Sequence, residues 1–412
     1  MLKKTIHGIL VAFALLTIIS SCTNADLNNG TWRGILKTGS GAEIPFNFAL
    51  SDSAGRKLIY IINGDERFKV DEVERTDDSL IIKIPLFDSE IRSAIKNGKL
   101  KGQWIKRLAN KDEIMDFAAE QESWRFFDIP VKPKYNISGR WSSTFTNAAG
   151  KITFLVGEFK QDGTRLTGTF LSSTGDYRFL EGSVADNRLF LSCFNGTDAL
   201  LFTGTLENDS TITGGKYYSG LSVSKNWVAK KDEKAILPDA YSLTTLKPEY
   251  KTIDFNFPDL SGKKVSLADE KFKNKVLIVQ FLGSWCANCM DETAYLTSFY
   301  EKYKSLGVEV VGLAYERTSD FEKSQKAVSN LKKRFNINYD LLITGYTNDV
   351  NEVMKSMPML DKFMAFPIAI VLDKKGNVRK IHTGFSGPGT GDHYTQFINE
   401  FERLINDLLK EN

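Results

Sequence analysis

The chain has 412 residues, room for about two to four domains at roughly 100–200 residues each. Its 42% hydrophobic and 25% charged residues are ordinary globular values and exclude a disordered or collagen-like chain. A net charge of +3 leaves no broad basic footprint for nucleic acid, and three histidines with four cysteines cannot stock an elaborate zinc or haem centre.

Residues 1–21 read as an export signal. Lys3 and Lys4 form a basic start, and the apolar run over residues 9–19 is too short and too near the terminus for an ordinary membrane-spanning helix. The run closes on Ile19-Ser20-Ser21-Cys22, which resembles the lipobox of bacterial lipoproteins. That resemblance implies lipidation of Cys22, an anchor and tether over residues 22–29, and a place in the cell envelope, as a lipid-anchored protein facing the periplasm or as an outer-membrane lipoprotein. A plain cleaved signal peptide with a chance cysteine is the competing reading. With Cys22 lipidated, Cys193, Cys286 and Cys289 remain in a compartment that can keep disulfides oxidised. Three thiols allow one pair, for which Cys286 and Cys289 are the candidates. Cys193 shares a strand face with Leu189 and Leu191 and reads as a buried core cysteine.

The next part of the chain repeats. Gly64-Asp65-Glu66-Arg67-Phe68 recurs as Gly175-Asp176-Tyr177-Arg178-Phe179, Val73 maps onto Val184, Leu100 onto Ile212 and Trp32 onto Trp141. The offset drifts only from 109 to 112 residues, as small loop insertions would produce. Short strands are predicted over 44–50, 58–62, 80–84 and 100–104, and again over 152–159, 166–171, 189–194 and 200–206, separated by Gly, Asp, Asn and Ser clusters. The expectation is two antiparallel β repeat domains, 30–130 and 136–236, each a sandwich or small barrel, followed by a linker over 237–250. Neither copy contains a histidine; Asp65, Arg67, Asp176 and Arg178 could line a site, but the favoured reading is turn residues and surface pairs needed in both copies.

After residue 250 the pattern becomes α/β. Residues 276–281 form an apolar run suited to a central parallel strand buried on both faces. Strands over 308–315, 340–343, 367–372 and 378–383 alternate with helices over 321–335, with Ser319 as N-cap, and 394–409, whose apolar face is Phe397, Phe401, Leu404, Ile405 and Leu408. Between the first central strand and its helix stands Gly283-Ser284-Trp285-Cys286-Ala287-Asn288-Cys289. Two intervening residues on an opening helical turn bring the sulfurs within bridging distance. The unpaired N–H groups of that turn favour a thiolate on the first. A Cys286 thiolate would attack a substrate disulfide and Cys289 would resolve the mixed disulfide. Half a zinc site and a structural disulfide are the alternatives, but no second C-x-x-C exists. Cys289, Leu296, Phe299 and Tyr303 form one buried stripe with Glu292 inside it, so its carboxyl should be shifted up and suited to accept the Cys289 proton.

Trp285-Cys286-Ala287-Asn288-Cys289, Glu292 and Phe366-Pro367 together resemble the thioredoxin superfamily. The nearest branch is the TlpA/ResA-like envelope thiol-disulfide oxidoreductases, in the form seen in lipoproteins of Bacteroidetes. The resemblance covers residues 251–412. It implies a thioredoxin-like domain, Cys286 as nucleophile, Cys289 as resolving thiol, Glu292 as the associated carboxylate, a cis-proline at Pro367, and Trp285, Phe366 and Pro367 facing the substrate. It implies protein disulfides as substrates, an unidentified reductant protein as partner, and no cofactor or metal beyond the redox-active Cys286–Cys289 disulfide. Ala-Asn between the cysteines and the bulky Phe366 depart from the commoner family pattern. A peroxiredoxin-like antioxidant is the first rival, but Gly283 and Val279 stand where its Thr and Pro would precede Cys286. A non-enzymatic envelope binding protein with a redox-sensing domain is the second.

Overall fold

The computed structural model describes residues 27–411, apart from 54, 71, 109 and 110. The signal segment and the Cys22 lipidation site lie outside the described residues.

Residues 30–120 form a nine-stranded antiparallel sheet, and residues 139–231 form a second. In both, the first strand pairs with the second and the ninth, and the later strands form a meander. The second sheet closes into a barrel, because its third strand, Arg165–Ser172, pairs with both Ile152–Asp162 and Leu180–Ala185. The first stays open between Glu66–Val70 and Glu72–Arg75. Side chains alternate in and out, as strand geometry requires: along Asp112–Glu120, Met115, Phe117 and Ala119 face inward. Trp32 and Trp141 are both buried, and each indole donates to the carbonyl four residues earlier, Asn28 and Ile137, at 3.0 and 2.9 Å. The barrel core is aromatic, with Phe145 stacked on Trp227 at 5.5 Å.

The two sheets are welded at their contact. Phe194 of the second enters the core of the first, 4.4 Å from the Phe46 ring and 5.4 Å from that of Trp104. Asn63 and Phe194 exchange reciprocal hydrogen bonds through the Asn63 amide, at 2.8 and 3.3 Å. The buried Arg125, on the segment between the sheets, donates to Asn47 Oδ1 on one side and to the Ser192 carbonyl on the other.

The C-terminal unit is a five-stranded mixed sheet with helices. Val276–Leu282 is buried at all seven positions. It runs parallel to Val308–Glu316, which runs parallel to Asp340–Thr347. Ile368–Leu372 and Val378–Thr383 complete the other side in antiparallel register. The helices are α1 (Ala287–Tyr303), α2 (Phe321–Phe335), α3 (Val350–Ser356) and α4 (Asp392–Lys410). The N-cap of α2 is Asp320 rather than Ser319: its carboxylate accepts from Lys323 N at 2.9 Å, satisfying a first-turn donor. On α4, Phe397, Phe401, Ile405 and Leu408 are buried, while Leu404 sits at the edge of the face. The stretch 237–250 is not a free connector. Thr245–Leu246 pairs with Leu360–Lys362, and Thr383 Oγ1 bonds the buried Thr244 at 2.9 Å.

Candidate active site

Cys286 and Cys289 are joined by a disulfide across the first turn of α1. Cys286 is the N-cap, in extended conformation, and its Sγ accepts from Cys289 N at 3.2 Å, so the sulfur occupies the place of a capping oxygen. Cys286 is 8% exposed and Cys289 fully buried. The preceding loop is fixed by three contacts. Trp285 folds back over Gly283, where a Cβ would lie 2.1 Å from the indole nitrogen, and donates to the Tyr315 carbonyl at 3.0 Å. The buried Glu316 accepts from Ser284 N at 2.8 Å and from its hydroxyl at 2.7 Å. Burial raises the Glu316 pKa, against the opposing Ser284 bonds. Trp285 also meets Phe366 edge-on at 5.6 Å.

The Phe366–Pro367 peptide is cis. Pro367 precedes Ile368, whose Cα partner is Phe281, so the proline lies beside the strand end from which the Cys286 loop departs. Beneath the disulfide, Cys289, Leu296, Phe299 and Tyr303 are all buried on one face of α1, and Glu292 is buried with them at 1% exposure. Gln280 Nε2 donates to Glu292 Oε2 at 2.8 Å, while Oε1 has no hydrogen-bond partner. Burial pushes the carboxyl up to about 8, the Gln280 bond opposing it only in part, so at neutral pH it is mostly protonated. Cys193 is free and buried in the second barrel, and burial pushes its thiol up.

Three units build the surroundings of the disulfide. The turn of the second sheet that carries Gly175-Asp176-Tyr177-Arg178 lies against the start of α1. Arg178, in the left-handed region with φ 55°, donates to the Ala287 carbonyl at 3.2 Å and pairs with Asp291. Its other nitrogen pairs with Glu66, from the matching turn of the first sheet, at 2.5 Å. Burial works against its charge, but Asp291 and Glu66 outweigh that and hold Arg178 well above its usual range. Gly175 has φ 139°, and a Cβ there would lie 2.0 Å from the Asn288 amide nitrogen, so glycine is needed for this approach. Asp176 accepts from Gly387 N at 2.6 Å and from Arg178 N; burial, with Asp291 adding to it, pushes its pKa up to about 6.

The reading of these turn residues as surface groups therefore holds for Asp65 and Arg67, which are exposed, and fails for Asp176 and Arg178. In the second copy the turn is covered by α1 and by the loop before α4. From the sequence, Glu66 was seen only as part of the repeated motif and given no role, and Asp291 and Glu316 were missed altogether. The repeated Gly-Asp-x-Arg-Phe turn was the one signal that could have drawn attention to Arg178.

Comparisons with known proteins place the C-terminal unit. Residues 247–396 match the Redoxin family model. A stretch of 125 residues is 31% identical to the thiol-disulfide oxidoreductase ResA of Bacillus thuringiensis subsp. konkukian, covering 30% of this chain and 63% of that protein. ResA of Bacillus subtilis is 28% identical over 131 residues, covering 32% of this chain and 64% of the relative. A solved thiol-disulfide oxidoreductase from Bacteroides fragilis is 20% identical, covers 37% of this chain and 99% of its own, and superposes with a TM-score of 0.29. The chain thus spans a little under two thirds of the length of the first two relatives. The C-terminal unit is similar to the Redoxin family, and the curated relatives matched over this region are named thiol-disulfide oxidoreductases. The two β sheets precede the region matched by the family model.

Proposed function

We propose that this chain is a lipid-anchored thiol-disulfide oxidoreductase of the cell envelope that reduces disulfides of exported proteins. The observation that carries the reading is the Cys286–Cys289 disulfide capping α1 above a buried, largely neutral Glu292. In the reduced enzyme the Cys286 thiolate, favoured by the first-turn N–H groups, attacks one sulfur of a substrate disulfide and expels the other as a thiolate. Cys289 then passes its proton to Glu292, in the minor fraction of molecules whose carboxyl is ionised at neutral pH, and attacks the Cys286 sulfur. That step closes the enzyme disulfide and releases the second substrate thiol. Two electrons leave the dithiol for the substrate, and an external thiol reductant, in the envelope a partner protein, returns them. Trp285, Phe366 and Pro367 form the wall against which the substrate lies. Anchoring through Cys22 rests on the Ile-Ser-Ser-Cys motif, and the two β sheets, with their matching strand order, are read as copies of one repeat.

Dithiothreitol-driven reduction of insulin tests the activity. The wild type should accelerate it and the double variant Cys286→Ser/Cys289→Ser should not. Equal rates would overturn the reading. Cys289→Ser should accumulate mixed disulfides on Cys286, and mass spectrometry of those adducts identifies the substrates.

A further inference from the structure

Cys286 opens onto a cleft of about 390 Å³ whose floor is the disulfide loop and whose walls come from both β sheets. Three cations line it: Arg178, paired with Asp291 and Glu66, and Lys106 and Arg317. Lys106, on the strand Lys99–Arg107 of the first sheet, donates to the Thr197 carbonyl at 2.5 Å. Arg317 lies over the Trp285 ring at 5.6 Å and donates to the Arg107 carbonyl at 3.3 Å. Among the described residues neither has a carboxylate within salt-bridge distance. Burial lowers the pKa of both, against the pull of Asp198 on Lys106 and of Glu316 on Arg317. The carboxylates that share the cleft hold other partners: Asp176 accepts from backbone N–H groups, and Asp198 is held by the Asn195 amide at 3.3 Å while it acts on Lys106 and Arg317 only from a distance. A half-buried cation whose carboxylates stand beyond salt-bridge distance has its desolvation cost only partly offset, and an incoming anion offsets more of it. The aromatic wall of Trp285, Tyr177 and Tyr217 accommodates the apolar part of the same ligand.

We infer that this cleft is a substrate pocket for disulfides flanked by carboxylates, with Lys106 and Arg317 binding the anion and placing the disulfide at Cys286. The inference rests on the oxidoreductase reading above and names its substrate class. It also gives the first β sheet a part in the site, because Lys106 lines the same cleft as a cysteine 180 positions further along the chain. A free small disulfide and an acidic segment of a protein present the same chemistry.

The test is turnover by the full chain, with dithiothreitol as reductant, of 3,3′-dithiodipropionate, bis(2-hydroxyethyl) disulfide and cystamine, which are anionic, neutral and cationic. Each rate is divided by that of the uncatalysed exchange with dithiothreitol. The anionic disulfide should be preferred over the cationic one in kcat/KM by roughly tenfold or more, a factor of about 1.4 kcal/mol. Lys106→Met should collapse that ratio and Lys106→Arg should restore it. A disulfide-cyclised peptide with flanking glutamates distinguishes the sources: turnover above that of dithiodipropionate points to a protein segment, and turnover below it to a small molecule. Activity that is equal across the three charges overturns the inference and leaves the oxidoreductase reading standing. Inactivity toward all three, with insulin also unreduced, overturns the reading itself. Should Lys106→Met fail to fold, the wild-type charge series still decides.

Discussion

Substitution Glu292→Gln should change how stability depends on pH. In the folded chain the Glu292 carboxyl is pushed from 4.5 up to about 8 by burial. Below about pH 4.5 folded and unfolded chains both hold the proton, and the residue contributes no pH dependence. As pH rises from there the unfolded chain releases the proton while the folded one keeps it, so stability falls. The loss levels off once the folded group ionises near pH 8. At about 1.4 kcal/mol for each tenfold change in proton affinity, the rise amounts to about 5 kcal/mol, an upper limit because entry of water into the site softens it. Gln keeps the acceptor that Gln280 uses and has no charge to acquire. The assay is denaturant unfolding of the oxidised protein, in which Cys286 and Cys289 do not titrate, for wild type and variant at about pH 5 and about pH 9. Groups common to both proteins cancel in the difference. The variant should gain about 3–5 kcal/mol on the wild type between the two conditions. A stability gap that stays constant over this range would refute the assignment of a buried carboxyl that titrates high.

In stopped-flow reduction of a model disulfide, the same variant should slow the Cys289 step by roughly 10²-fold, the low end for a general base, while the Cys286 attack proceeds; an unchanged resolution rate would make Glu292 a packing residue only. In the reduced protein, iodoacetamide should modify Cys286 ahead of Cys289, since Cys286 is the N-cap thiol and the more accessible of the two, while Cys289 is fully buried; peptide mapping reads the order. Arg178→Met should cost up to about 3 kcal/mol in denaturant unfolding, because it leaves the largely enclosed Asp291 and Glu66 without their counter-ion. Adding Asp291→Asn should recover part of that loss, and in the single variant Cys286 should be alkylated faster as the second β sheet loosens from α1.

The parts of this protein that its sequence determined by itself are those with local causes. Period-two alternation marked many of the strands, the apolar run at 276–281 marked the central strand, and the Cys286-x-x-Cys289 spacing placed two sulfurs on one helical turn. Glu292 was legible for the same reason: a carboxylate inside an apolar helical stripe is carried to the buried face by 3.6-residue periodicity, whatever packs above it. Several strands, such as Ser89–Lys96 and Asp112–Glu120, escaped notice because charged residues interrupt a one-sided pattern. Only the tertiary structure decided what covers the disulfide. Arg178 and Arg67 occupy equivalent places in equivalent turns, yet Arg67 is exposed while Arg178 is largely enclosed and paired with Asp291 and Glu66. Lys106 likewise has nothing in its neighbourhood along the chain to connect it with Cys286. Burial and pairing of a charge depend on which surfaces meet, and those surfaces come from three units far apart in the chain, beyond the reach of any local periodicity.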